Sequence, residues 1–206
     1  QPTVTVIHAG WGPYCDHGRW FDSDLGWYWH SDYSWGGIAF HYGRWFCHPR
    51  WGWCWWPDLV WGPAWVAWRY GGDYCGWAPL SPRVHVEPGF AVRPIYAFVP
   101  WKHFHDRRPG NYRIQPHDTA RIFDATAPHE NLPRERVTEI TRSEPQRVAI
   151  RDLPPGSARN IHAERPRKEN GQLVVYRPTP PAPPGDRPVF GGGARGGSTS
   201  ASATER

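Results

Sequence analysis

Between Gly18 and Pro79 aromatic residues recur at alternate positions with glycine beside them, as in Trp51-Gly52-Trp53-Cys54-Trp55-Trp56. Period-two geometry puts Trp51, Trp53 and Trp55 on one face of such a segment and Gly52, Cys54 and Trp56 on the other, so aromatics occupy both faces. Aromatic residues favour strands, and glycine between bulky rings marks a bend or a close backbone approach. The pattern also repeats. Gly18-Arg19-Trp20-Phe21 followed by Gly26-Trp27-Tyr28-Trp29 returns as Gly43-Arg44-Trp45-Phe46 followed by Gly52-Trp53-Cys54-Trp55, a period of 25 or 26 residues. The one-residue difference falls between Asp22–Leu25 and Cys47–Trp51, where a turn accommodates it. Trp35-Gly36-Gly37-Ile38-Ala39-Phe40 aligns with Trp61-Gly62-Pro63-Ala64-Trp65-Val66, and a partial third copy ends at Gly76-Trp77-Ala78-Pro79. Each copy reads as an antiparallel hairpin, so residues 11–82 are expected to form an all-β unit of about six short strands.

Beyond residue 82 the signal thins. Val84 and Val86, Val148 and Ile150, and Leu173 to Tyr176 are strand candidates. Pro133 to Arg142 reads as one short helix, with proline at its start, Glu135 early, Val137 and Ile140 three apart and Arg142 at its end. The expected organisation is an extended segment over 1–10, the hairpin repeats over 11–82, a small α+β or extended region over 83–178, and a Pro- then Gly/Ser-rich tail over 179–206. The fold class is mainly β.

Fourteen of the fifteen Trp precede residue 82, where only nine Val, Ile and Leu are found. So few aliphatics make no core unaided, and the indoles must supply it. A domain this small cannot bury them all, and rings left at the surface suit either a protein interface or a glycan platform. Trp51, Trp53, Trp55, Trp56, Trp27 and Trp29 are the candidates for that aromatic surface. Charge divides the chain too: residues 1–82 carry four Arg against six Asp, while residues 83–206 carry twenty basic against thirteen acidic residues. In the second part basic and acidic residues alternate, as in Arg134, Glu135, Arg136 and Glu139, so no phosphate-tracking stripe builds up and nucleic acid is not an expected partner. No run approaches the roughly 18 apolar residues of a membrane span.

The chain has no methionine, which reads as removal of an N-terminal secretory segment. In an exported protein, four cysteines within one small region imply disulfides. Three pairings are open; Cys47 and Cys54 occupy the two arms of one hairpin, which favours a bridge there and a second between Cys15 and Cys75, closing about 60 residues and contributing roughly 4 kcal/mol. The spacing supports neither a zinc ribbon, a thioredoxin-type pair nor c-type haem. His103-Phe104-His105 sets two imidazoles on one strand face, but no further ligand completes a metal site. Asp22 and Asp24 share a turn and read as backbone-bonding residues rather than a glycosidase dyad. No nucleophile elbow or phosphate loop is present. No catalytic residue, metal or cofactor is expected.

His41-Tyr42-Gly43-Arg44-Trp45, Gly52-Trp53-Cys54-Trp55, Trp61-Gly62-Pro63-Ala64-Trp65-Val66-Ala67-Trp68-Arg69 and Gly76-Trp77-Ala78-Pro79-Leu80 together resemble the Trp-rich exported bacterial proteins classed as a domain of unknown function. The resemblance covers residues 11–82 and extends loosely to Phe98-Val99-Pro100 and Val174-Val175-Tyr176-Arg177-Pro178. It implies export and envelope association and carries no catalytic residues; the four cysteines depart from its common pattern. The expected function is a non-enzymatic structural or accessory subunit of a periplasmic or cell-surface protein assembly, docked on other subunits through exposed aromatics and the C-terminal arm. A monomeric module binding polysaccharide through exposed Trp is the rival.

Overall fold

The computed structural model describes residues 10–82, 95–153 and 165–177. The expected segment before residue 10, the strand candidate at Val84 and Val86 and the low-complexity tail lie outside them. The fold is mainly β. The two full copies of the repeat form hairpins, β1 (Gly18–Ser23) with β2 (Tyr28–Ser31) and β3 (Tyr42–His48) with β4 (Gly52–Trp61). The partial copy completes a third, β5 (Val66–Gly71) with β6 (Tyr74–Pro79). One helical turn, α1 (Gly36–Ala39), lies between the first two.

In every hairpin a tryptophan faces a tryptophan across the strands: Trp20 opposite Trp29, Trp45 opposite Trp55, and Trp68 opposite Trp77. Directly opposed side chains are the closest neighbours in a sheet, and large rings there bury most area. The rest of the repeated Gly-Arg-Trp-Phe motif also has a physical reading. A Cβ on Gly18 would collide with the His30 carbonyl and the Trp29 ring, and one on Gly43 with the Trp56 carbonyl. The Arg guanidinia lie over rings, Arg19 at 4.7 Å from the Phe21 centroid and Arg44 at 3.5 Å from that of Trp65. The motif thus encodes one strand that receives a partner ring or backbone at its glycine.

The hairpins do not stack as a regular array; each enters a different sheet. The third is extended by β7 (Ala97–Pro100) beside β6 and β8 (Ala127–His129) beside β5, giving the antiparallel order β7-β6-β5-β8. The first is extended by β9 (Arg147–Asp152), which runs parallel to β1, followed by β11 (Gln172–Arg177) and β10 (Arg167–Glu169) in the order β10-β11-β9-β1-β2. The second stays a two-stranded sheet. The compositional break at residue 82 therefore does not divide the packing. Val99, Trp101, Phe104, Leu132 and Val137 share one buried cluster with Trp20, Trp29, Trp68 and Trp77.

Aromatics on both faces of β1 now have partners on both. Trp20 and Trp29 enter the main cluster, while the next pair, Phe21 opposite Tyr28, packs with Val148, Ile150 and Val175. The expected helix near 133–142 is α3 (Arg134–Thr141), with Val137 buried and Ile140 outward. Another, α2 (Pro116–Asp124), is not among the elements expected from the sequence; it starts at a proline and buries Ile122 alone.

Trp20 touches Trp29, Trp68, Trp77, Phe104 and Tyr14 at centroid separations of 5.0, 5.0, 5.4, 6.0 and 6.2 Å, joining the first and third hairpins. Its buried indole nitrogen has no hydrogen-bond partner among the described residues. The ring rather than the N–H stabilises the fold. Trp20→Ala should therefore cost about 3–5 kcal/mol in urea denaturation, and Trp20→Phe, which also removes an unsatisfied donor, far less; equal losses would contradict this account of the core.

Candidate functional site

The second hairpin carries the apolar surface. Its register runs from His48 opposite Gly52 to Arg44 opposite Trp56, then jumps to Tyr42 opposite Trp61. Gly43 alone therefore faces the four residues Pro57, Asp58, Leu59 and Val60, which bulge out of β4. Gly43 holds φ +86°, and any side chain there would meet the Trp56 carbonyl, so glycine is required at the root of the bulge. At its tip the Asp58 carboxylate accepts the Leu59 and Val60 backbone N–H groups at 2.6 and 3.3 Å. Leu59 is 85% and Val60 57% exposed. Leu25, Ile38 and Leu80 are exposed too, but less so and singly, whereas Leu59 and Val60 stand out side by side.

The far side of the bulge is anchored by His41. Its ring is stacked between Tyr28 (4.7 Å, 5°) and Trp61 (5.5 Å, 19°), and Nδ1 donates to the Gly62 carbonyl at 2.9 Å. The His41 carbonyl accepts from Gly62 N and from Trp65 Nε1, both at 2.9 Å. Burial is the main force that pushes the His41 imidazole down to about 4, with His30 adding to it and the backbone contacts opposing. The bulge is thus bracketed by a fixed glycine and a buried neutral imidazole.

Of the tryptophans expected at the surface, Trp51 and Trp56 are exposed, at 63% and 44%. Trp51 precedes β4 rather than sharing the face of Trp53. Gly52 at φ +73° turns the chain there, and the Trp51 ring stacks on His48 at 4.2 Å and 17°. Trp53 and Trp55 are half-buried and pack against the main cluster, with Trp55 Nε1 donating to the Tyr42 carbonyl at 2.7 Å. Trp27 and Trp29 are core, not surface: Trp27 donates to the Leu132 carbonyl at 2.9 Å and meets Phe104 edge-on at 4.6 Å, and Trp29 is fully buried opposite Trp20. Leu59 and Val60 escaped the sequence reading. The signal was Pro57-Asp58, a turn pair set inside a strand pattern and followed by two aliphatics.

The expected disulfides are absent, and Cys15, Cys47, Cys54 and Cys75 are free thiols. Register explains the first pair. Cys47 faces Trp53 and Cys54 faces Phe46, so the two lie on opposite faces of the hairpin. Cys75 sits inside the third sheet between Tyr70 and Val99, its thiol directed at the Val99 carbonyl, whereas Cys15 packs against Gly110. Burial pushes the Cys15 thiol up to about 12 and that of Cys75 well above its ordinary value, so both stay protonated and unreactive.

The remaining candidates are structural. Asp22 pairs with Arg134 and Arg147 at 3.1 and 3.7 Å, and the Asp24 carboxylate accepts Ile150 N at 3.2 Å, clamping β1 to β9. His103 does not lie on a strand; it ends a 3₁₀ turn (Trp101–His103), is 2.8 Å from Asp106 and stacks on Tyr112 at 3.5 Å. Among the described residues no group of three or more His, Cys, Asp or Glu could hold a metal ion.

Residues 1–84 match a family described as a family of unknown function (DUF6600). No curated protein and no solved structure matches the chain. The matched span takes in all three Trp hairpins and the bulge and stops short of the strands that complete their sheets.

His30 behaves like His41: burial first, then Arg19 and Arg165, push it down to about 4 against the pull of Asp32. Both imidazoles have an ordinary value of 6.5. Between about 4 and 6.5 the unfolded chain therefore binds protons that the folded one refuses, so stability is complete above that window and falls as pH drops through it. Urea midpoints should decline from pH 6.5 to 4, and His41→Gln should flatten the decline; a midpoint independent of pH over that range would contradict the buried neutral assignment.

Proposed function

We propose that this chain is a non-enzymatic docking subunit of an extracytoplasmic assembly, seated on a protein partner through the Leu59–Val60 bulge and the exposed Trp56 that precedes it. The carrying observation is the wedge itself: a convex apolar tip, held by Gly43, Asp58 and His41, that would bury its two aliphatic side chains only inside a complementary apolar crevice. Contiguous exposed apolar surface of this kind marks interaction sites, and a rigid presenting loop lowers the ordering cost of binding. The C-terminal arm lies outside the described residues, so the reading rests on the hairpin. The cysteines lend no support to an oxidising compartment; the extracytoplasmic setting rests on the resemblance of the repeats. One observation favours the polysaccharide alternative, namely that the Trp51 ring lies flat on His48 with most of its surface open, as a sugar-stacking platform would.

A photo-crosslinking residue placed at Leu59 in the native host distinguishes them. Docking predicts one discrete protein adduct that fractionates with the envelope and disappears in Val60→Asp, with none from the exposed control position Lys102. No adduct from position 59 would sink the docking reading. A change in Trp fluorescence on adding cell-wall polysaccharide, abolished by Trp51→Ala, would favour the rival.

A further inference from the structure

Directly after β7, the chain from Trp101 to Arg113 makes a loop whose shape is fixed at several points. His103 holds Asp106 at 2.8 Å and stacks its ring on Tyr112 at 3.5 Å and 3°. Pro109 is buried, and Gly110 packs so closely on Cys15 that a Cβ would strike the Cys15 carbonyl. Asn111 N donates to the Arg108 carbonyl at 3.1 Å and Arg113 N to the Gly110 carbonyl at 3.2 Å, while the Arg113 guanidinium donates to the Gly10 carbonyl at 2.7 Å.

These contacts shape an open cavity of about 480 Å³ lined by Asp106, Arg107, Arg108, Asn111 and Tyr112. Its charge is left unbalanced. The lining sets two guanidinia against one carboxylate, Asp106, which is hydrogen-bonded to His103, and among the described residues neither Arg107 nor Arg108 has an ion-pair partner. Arg19 adds to the crowding: burial first, and the Arg107 charge second, hold its guanidinium below its ordinary value, with Asp32 opposing. Like charges gathered on a rigid loop destabilise one another unless an anion joins them. Guanidinia are the donors that grip carboxylate and phosphate in paired hydrogen bonds.

We propose that the loop 106–112 binds a small oxyanion, carboxylate or phosphate, between the Arg107 and Arg108 guanidinia with the Asn111 side-chain amide as a further donor. The cavity has room for the sugar or short peptide that carries such a group, and the Tyr112 ring, held by His103, forms one wall. The site is independent of the hairpin bulge. It gives the chain a way to hold an acidic envelope component while the bulge engages a protein.

The test is an NMR titration of the full chain with inorganic phosphate and, separately, with glucuronate, each against sodium chloride at matched ionic strength. Saturable shifts of the Arg107, Arg108 and Asn111 side-chain N–H signals are expected. Both arginines are exposed, so the double variant Arg107→Ala/Arg108→Ala should keep the wild-type Trp fluorescence and lose affinity by about tenfold or more. Tighter saturation by phosphate would identify a phosphorylated ligand, and tighter saturation by glucuronate a sugar acid or peptide carboxylate. Shifts no greater than those in chloride, or a double variant that titrates like wild type, would overturn the proposal.

Discussion

Everything else in the fold depends on opposed tryptophans. Each hairpin places one indole directly across from another, and Trp20 then joins two hairpins by touching both Trp29 of its own and the Trp68–Trp77 pair of the third. The second hairpin is tied in through Phe40, which meets Trp29 at 6.3 Å and Trp45 at 6.0 Å. Large flat rings packed edge to face at 5–6 Å can fill space that Val, Ile and Leu would fill elsewhere. They explain how a segment so poor in aliphatics can pack at all.

The same constraint frees a few residues for recognition. Because the core is built from indoles, the aliphatics are not all needed inside, and Leu59 and Val60 stand outward on a bulge with a fixed root. The loop at 106–112 follows a similar logic. His103 and Gly110 hold its shape and Asp106 is already engaged, which leaves two guanidinia facing solvent. A rigid interior thus presents an apolar tip and a basic cradle, two surfaces of opposite chemistry.

The hairpins and their turns are legible in the sequence because the glycine of Gly-Arg-Trp-Phe takes a partner ring or backbone against it, while that of Gly-Trp-x-Trp turns the chain at positive φ. Their assignment to separate sheets is not. It depends on β7, β8, β9 and β11, which come from a region whose short alternations, such as Val148 and Ile150, say nothing about partners 125 residues away. The surface was half legible. Trp51 and Trp56 were identified as exposed candidates, but the repeat makes Trp27 and Trp29 look equivalent to Trp53 and Trp55, and only the covering by Leu132, Phe104 and Tyr14 separates them. The cysteines misled because occupying two arms of a hairpin does not fix which face each thiol takes; a one-residue offset decides it. The loop at Arg107 and Arg108 left no periodic trace, since its contacts are single hydrogen bonds and one ring stack.

The Trp cluster makes the three sheets one cooperative unit across the compositional break. Native-state hydrogen exchange tests it directly. Amides of β1, β6, β9 and β11 should exchange at the same, highest opening free energy, while Leu59 and Val60 exchange rapidly. If β9 and β11 opened at a separate, much lower free energy than β1 and β6, those two strands would be an appendage of β1, and the cooperative unit would be contradicted.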